Sequence, residues 1–117
     1  MFSILNRTKN TVIAQNGIIA DTFLSRMTGL LNRKSLPAGE AFVITRCNSI
    51  HMFFMRFSID VIFVDKSDHV IGLVERIKPF RLSRIFFDSQ YVIELSEGSI
   101  KKTEVSIGDK IEVRASL

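Results

Sequence analysis

The side chains best equipped for chemistry stand together near the middle of the chain, in Cys47-Asn-Ser-Ile-His51-Met-Phe-Phe-Met55-Arg56-Phe-Ser-Ile-Asp60. This stretch holds the sole cysteine, one of two histidines, Arg56 and Asp60, all set among Met52, Phe53, Phe54, Met55 and Phe57. Aromatic walls with a few polar groups describe a pocket that orients a small ligand. The same aromatics and methionines also describe a packed interior. Cys47, His51 and Met55 supply soft copper ligands, but such a centre needs a second histidine from an earlier strand, and His69 comes later. No metal and no cofactor are expected.

Asp60 is the most informative acid, because a carboxylate among apolar positions needs a partner if it is buried. Arg56, Arg26 and His51 are its candidate partners, in a structural ion pair. A hydrolase or carbohydrate-active enzyme would use Asp60 with Glu94 or with His51, since two carboxylates must flank one scissile bond. Nothing in the sequence brings those groups together. Cys47 with His51 lacks a third group to orient the base. There is no Gly-x-Ser-x-Gly elbow and no glycine-rich phosphate loop. Whether the protein is an enzyme is left open by these residues.

One further stretch, residues 76–84, carries Arg76, Lys78, Arg81 and Arg84 around Phe80 and no acid. It suits weak contact with single-stranded nucleic acid, with Phe80 stacking on a base. It equally suits a solvated edge that charge and Pro79 keep from pairing. The net charge of +4 is modest and diffuse, which weighs against nucleic acid as the main partner.

These groups have to be positioned by a chain of 117 residues, 46% of them hydrophobic, with ten Phe, one Tyr, no Trp and one Cys. That length suits one domain over residues 1–117, with enough core to fold without disulfides. The composition excludes intrinsic disorder, and no apolar run is long enough to span a membrane as a helix. The start, MFSILNRTKN, lacks the layout of a secretory signal, so the cytoplasm is the expected location.

Alternating apolar residues predict short strands at Phe2 to Leu5, Thr11 to Ala14, Ile18 to Ala20, Ala41 to Thr45, Ser58 to Val64, His69 to Val74, Tyr91 to Leu95 and the last segment from Ile111. Asn16-Gly17 reads as a turn. Gly72 marks a bulge or a close backbone approach. One helix is predicted from Asp21 or Thr22 to Pro37, with Phe23, Leu24, Met27, Leu30 and Leu31 on its apolar face. Ser99 to Lys102 has room for a single helical turn. The expected fold is mainly β, a compact antiparallel barrel or sandwich with one short N-terminal helix.

Taken in order, Ala20-Asp-Thr22, Arg26 through Gly29-Leu-Leu31 and Arg33, His51-Met-Phe-Phe-Met55-Arg-Phe-Ser-Ile-Asp60, Val61-Ile-Phe-Val-Asp65, Tyr91-Val-Ile-Glu94-Leu, Gly98 and Gly108-Asp109 resemble the prokaryotic family called domain of unknown function 192. The resemblance covers residues 18–114. It implies a compact, mostly β domain with a short helix near its start. Arg26, Gly29, Met55, Asp60, Glu94, Gly98, Gly108 and Asp109 match its signature positions. Leu31 and Phe54 depart from it, where many relatives have Met and Trp, and Phe54 lacks the indole donor. Many relatives also begin with an export signal, which this sequence does not show.

The functional expectation is a non-enzymatic binding or accessory domain for a small polar ligand or a protein partner. Its candidate pocket comprises Arg26, His51, Phe54, Met55, Arg56, Asp60 and Glu94. A monomer is expected, with pairing of exposed strand edges as the alternative.

Overall fold

From Ile59 to Val64 the chain carries β-branched and aromatic side chains on both sides of an extended backbone, the composition of a strand buried between two layers. It becomes that strand. The computed structural model describes residues 1–20, 35–49 and 56–115. Its strands are β1 (Phe2–Asn6), β2 (Thr11–Ala20), β3 (Glu40–Thr45), β4 (Ile59–Asp65), β5 (Val70–Ile77), β6 (Ser89–Ser96) and β7 (Ile111–Ala115), with helix α1 (Ser99–Thr103) between the last two. Ile59 through Val64 are all buried.

The seven strands form one sheet in the order β5-β4-β6-β3-β2-β1-β7. The mainly β expectation therefore holds, but the sheet is mixed, because β2 and β3 run parallel while the other neighbours are antiparallel. Parallel neighbours need a long crossover, and residues 21–39 supply its length. The predicted N-terminal helix falls mainly on residues 21–34, outside the described residues. Ser99–Thr103 does form a helical turn.

The sheet curls but is not closed into a barrel. Its two edge strands meet at one end, where His69 and Lys110 form an isolated antiparallel bridge. There Val70 N–H donates to Asp109 O (2.9 Å) and Ile111 N–H to Asp68 O (2.8 Å). Asp109 pins this corner: its carboxylate accepts from Asn6 Nδ2 (2.7 Å) and Ser106 N–H (2.9 Å) and lies 3.3 Å from Lys9 Nζ. Burial pushes that carboxyl upward, yet these donors outweigh it and hold it below the ordinary aspartate value.

Curling creates two apolar regions. On the concave side Ile4, Ile13, Val43, Ile62, Val64, Ile93, Leu95 and Ile111 pack with Ile100 of α1. On the other side Phe42, Ile44, Ile59, Val61, Phe63, Ile77 and Val92 pack with Leu36. Because β5 and β6 are both antiparallel to β4, the connection 78–88 must cross β4 on this second face. It is fastened there by Phe86, whose ring stacks on Phe63 with centroids 4.2 Å apart and whose N–H donates to Asn48 O (2.8 Å).

Two glycines work by close approach. At Gly72 an added Cβ would lie 2.3–2.8 Å from the Phe86 ring, so the absent side chain is the socket for that ring. Asn16-Gly17 is not a turn but lies within the ten-residue β2. A Cβ at Gly17 would stand 3.1 Å from the Phe2 carbonyl oxygen, beside the register irregularity between β1 and β2. Glycine there eases the close approach of β1 and does not reverse the chain.

Gly72→Ala should therefore expel the Phe86 ring and lower the unfolding free energy by about 1–3 kcal/mol, measured by urea titration. In a Phe86→Ala background the same change should cost far less. An equal cost in both backgrounds would show that the socket is not what Gly72 provides.

Candidate functional site

Of the residues expected to form a pocket, Arg26, His51, Phe54 and Met55 lie outside the described residues. Arg56 is exposed, whereas Asp60 and Glu94 are buried. Alternation along the strands decides how the last two relate. Asp60 pairs with Leu95 and Val61 with Glu94, and Leu95 belongs to the concave core while Val61 belongs to the opposite one. Asp60 and Glu94 thus point to opposite faces of the sheet. They cannot flank one scissile bond, which removes that carboxylate pair as a hydrolytic site.

Asp60 does have partners, but they are backbone groups and not Arg56. Its Oδ1 accepts from Arg76 N–H and its Oδ2 from Ile100 N–H, both at 2.9 Å. The carboxylate ties the end of β5 and the start of α1 to the middle strand. The sequence marks Asp60 as an acid that needs partners if buried and points to side chains for them, whereas backbone donors leave no trace in residue types.

Glu94 sits in β6 between Phe42 of β3 and Val61 of β4. Among the described residues no donor hydrogen-bonds its carboxyl group. Burial alone pushes its pKa from the ordinary 4.5 to about 7. Phe42, Phe57 and Cys47 belong to the apolar region on the same face.

The geometry reveals a different concavity, at the open end of the curl. A cavity of about 630 Å³ is lined by Ile19, Val43, Ile111 and Val113, with Arg7, Asp68, Tyr91, Lys110 and Glu112 among the polar groups around them. It lies opposite the Asp60 corner, because Tyr91 pairs with Val64 at one end of β4 while Leu95 pairs with Asp60 at the other. Helix α1 occupies that other end through buried Ile100.

The polar rim is largely committed. Tyr91 Oη donates to Asp68 Oδ1 at 2.7 Å, and burial first, then the Asp68 carboxylate, raises the phenol well above its ordinary pKa. Glu112 accepts from Arg114 Nε at 2.7 Å and lies 3.4 Å from Arg7 Nε. The bond from Arg114 holds the Glu112 carboxyl below its ordinary value. Lys110 Nζ donates to a neutral acceptor, Ser67 O (2.6 Å), and no carboxylate among the described residues lies within ion-pair distance of it. None of these lining residues stood out in the sequence. Tyr91 carried the best signal, as the one tyrosine of the chain, whose hydroxyl needs a partner wherever its ring is buried.

Two outcomes follow from the acids. Asp60→Asn turns an amide N–H toward a backbone N–H and should lower the unfolding free energy in urea by about 1–3 kcal/mol; unchanged stability would mean that the two bonds fasten nothing. For Glu94 the unfolded chain gives up its proton near the ordinary value, while the folded chain keeps it until about pH 7. Stability should therefore fall as pH rises between about 4.5 and 7 and level off above, by an amount on the order of 3 kcal/mol. Glu94→Gln, neutral throughout, should flatten that slope in urea titrations across this range. A slope that persists in the variant would assign it to another group.

Residues 5–113 match the DUF192 family, described as Uncharacterized ACR. The chain is 40% identical over 113 residues to a UPF0127 protein of Thermococcus sibiricus, covering 93% of this chain and 73% of that one. It is 38% identical over 113 residues to a UPF0127 protein of Pyrococcus horikoshii, covering 93% and 96%. Its fold is shared with a crystal structure of a protein of unknown function from Novosphingobium aromaticivorans, with TM-score 0.82 and 20% identity over 95% of this chain and 82% of that one. With the family match spanning most of its length, this chain belongs to the DUF192 family of uncharacterised proteins.

Proposed function

We propose that this protein is a small binding domain whose ligand, an amphipathic molecule with an apolar body and an acidic end, enters the cavity at the open end of the curled sheet. The observation that carries this reading is the cavity itself. Its volume of about 630 Å³ falls in the range of small-molecule sites. Its floor is apolar, with Val43 3% and Ile111 2% exposed. The rim decides the ligand's polar end. Glu112 is neutralised by two arginines and Asp68 accepts from the tyrosine hydroxyl, so among the described lining residues the cation with no carboxylate at ion-pair distance, the Lys110 ammonium, is the one open to an acidic end.

The same commitments speak for binding over catalysis. A general acid needs a raised pKa, and Glu112 is shifted downward. Asp68 accepts the Tyr91 O–H at one of its oxygens, which gives it the role of positioning that hydroxyl.

Tyr91 supplies a built-in reporter, because the chain has one Tyr and no Trp. Adding decanoate should change the Tyr91 fluorescence saturably. Lys110→Gln should weaken decanoate binding by about fivefold while leaving decanol binding unaltered. Val113→Phe, which narrows the cavity at a partly exposed position, should weaken both by about tenfold. Absence of a saturable change, or indifference to Val113→Phe, would overturn the assignment of this cavity.

A further inference from the structure

The connection 78–88 that crosses the second face has an outer surface as unusual as its inner one. Inward, Phe86 fills the Gly72 socket and lies beneath Arg84, whose guanidinium carbon is 4.4 Å from the ring centroid. Outward, Phe80 is 64% exposed, Leu82 66%, Ile85 49% and Phe87 82%. The other strongly exposed large apolar residues described, Met1, Val12, Ile18 and Ile107, are scattered along the chain. Single exposed hydrophobics are ordinary, but four strongly exposed ones within eleven residues are a concentration that marks an interaction surface.

The charges between them indicate which kind. Lys78, Arg81 and Arg84 alternate with the apolar side chains, and Asp88 is the one acid in the segment. Among the described residues neither Lys78 nor Arg81 has a carboxylate within ion-pair distance. The turn that starts the segment, closed by Arg81 N–H to Lys78 O at 3.2 Å, puts Phe80 at φ 66°. That left-handed conformation favours glycine over a bulky ring, so an apolar side chain is displayed at the tip at some backbone cost.

We propose that this segment docks the protein on an anionic phospholipid surface, with Phe80, Leu82, Ile85 and Phe87 entering the headgroup boundary while Lys78, Arg81 and Arg84 face the lipid phosphates. Interleaved cations and apolar tips are the pattern of interfacial binding, where both contributions act at one depth. A protein interface would instead gather the apolar residues into a centre depleted of charge. A single-strand platform works through ring faces, and two of the four exposed side chains are aliphatic. The attachment of Phe86 to Phe63 and Gly72 keeps the segment seated on the sheet, so little conformational freedom is lost on docking.

The test is co-sedimentation of the full chain with vesicles of phosphatidylcholine alone and of phosphatidylcholine with phosphatidylglycerol in equal parts. Binding is expected to the anionic vesicles, to weaken with added salt, and to be marginal on phosphatidylcholine. Lys78→Gln with Arg81→Gln should weaken it by about fivefold for each charge removed. Leu82→Ser with Ile85→Ser should weaken it by about tenfold or more. These four side chains are exposed, and unchanged urea midpoints would confirm that the fold is kept. No binding to anionic vesicles, or binding that ignores the Leu82 and Ile85 pair, would overturn the proposal. So would binding of an oligothymidylate in place of vesicles, which would assign the surface to nucleic acid.

Discussion

A strand buried on both faces has to be covered twice, and the architecture follows from how β4 meets that requirement. Ile62 and Val64 are covered by the curl of the sheet itself, which brings strands from β1 to β7 around one concave core. Ile59, Val61 and Phe63 face the other way, and the β5–β6 connection crosses over them because β4 lies between its two ends. Gly72 makes that crossing possible by leaving room for Phe86. The outer charge and apolar content of residues 78–88 are thus carried on a segment whose inner side is fixed by packing.

Asp60 sits within the same strand, where an ionised carboxylate without donors would be costly. Two backbone N–H groups meet it, from Arg76 and Ile100, and this places α1 over one end of the curl. The other end has no such plug among the described residues, and the cavity lies there. Glu94 shows the contrast. It is comparably buried on the opposite face with no donor bonded to it among the described residues, and its pKa rises to about 7. Two buried acids are held in different ways, because one met the ends of two elements and the other met an apolar layer.

Much of the β pattern was legible because a strand writes its two faces into alternate residues. Ser58 to Val64, His69 to Val74 and Tyr91 to Leu95 are of this kind, and each corresponds to a strand at nearly those bounds. Asn16-Gly17 was misleading for a physical reason: glycine serves both turns and close approaches, and only the nearness of β1 distinguishes the two. The candidate site was legible in part. The apolar flanks of Asp60 marked it as an acid in need of partners if buried, while the burial of Glu94 and the separation of the two acids to opposite faces depend on the cross-strand register. The cavity was not legible, since Arg7, Asp68, Lys110 and Glu112 each read as ordinary turn or edge residues until the sheet edges meet.

The sequence by itself determined the mainly β class, the buried central strand and the family, since these rest on local periodicity and on motifs in order along the chain. Only the tertiary structure decided that β2 and β3 run parallel, that the curl stays open, and that backbone amides satisfy Asp60. The same holds for the gathering of Tyr91, Asp68 and Lys110 around one cavity. Each depends on contacts between residues far apart in the chain, and side-chain types record which groups need partners without recording which partners they meet.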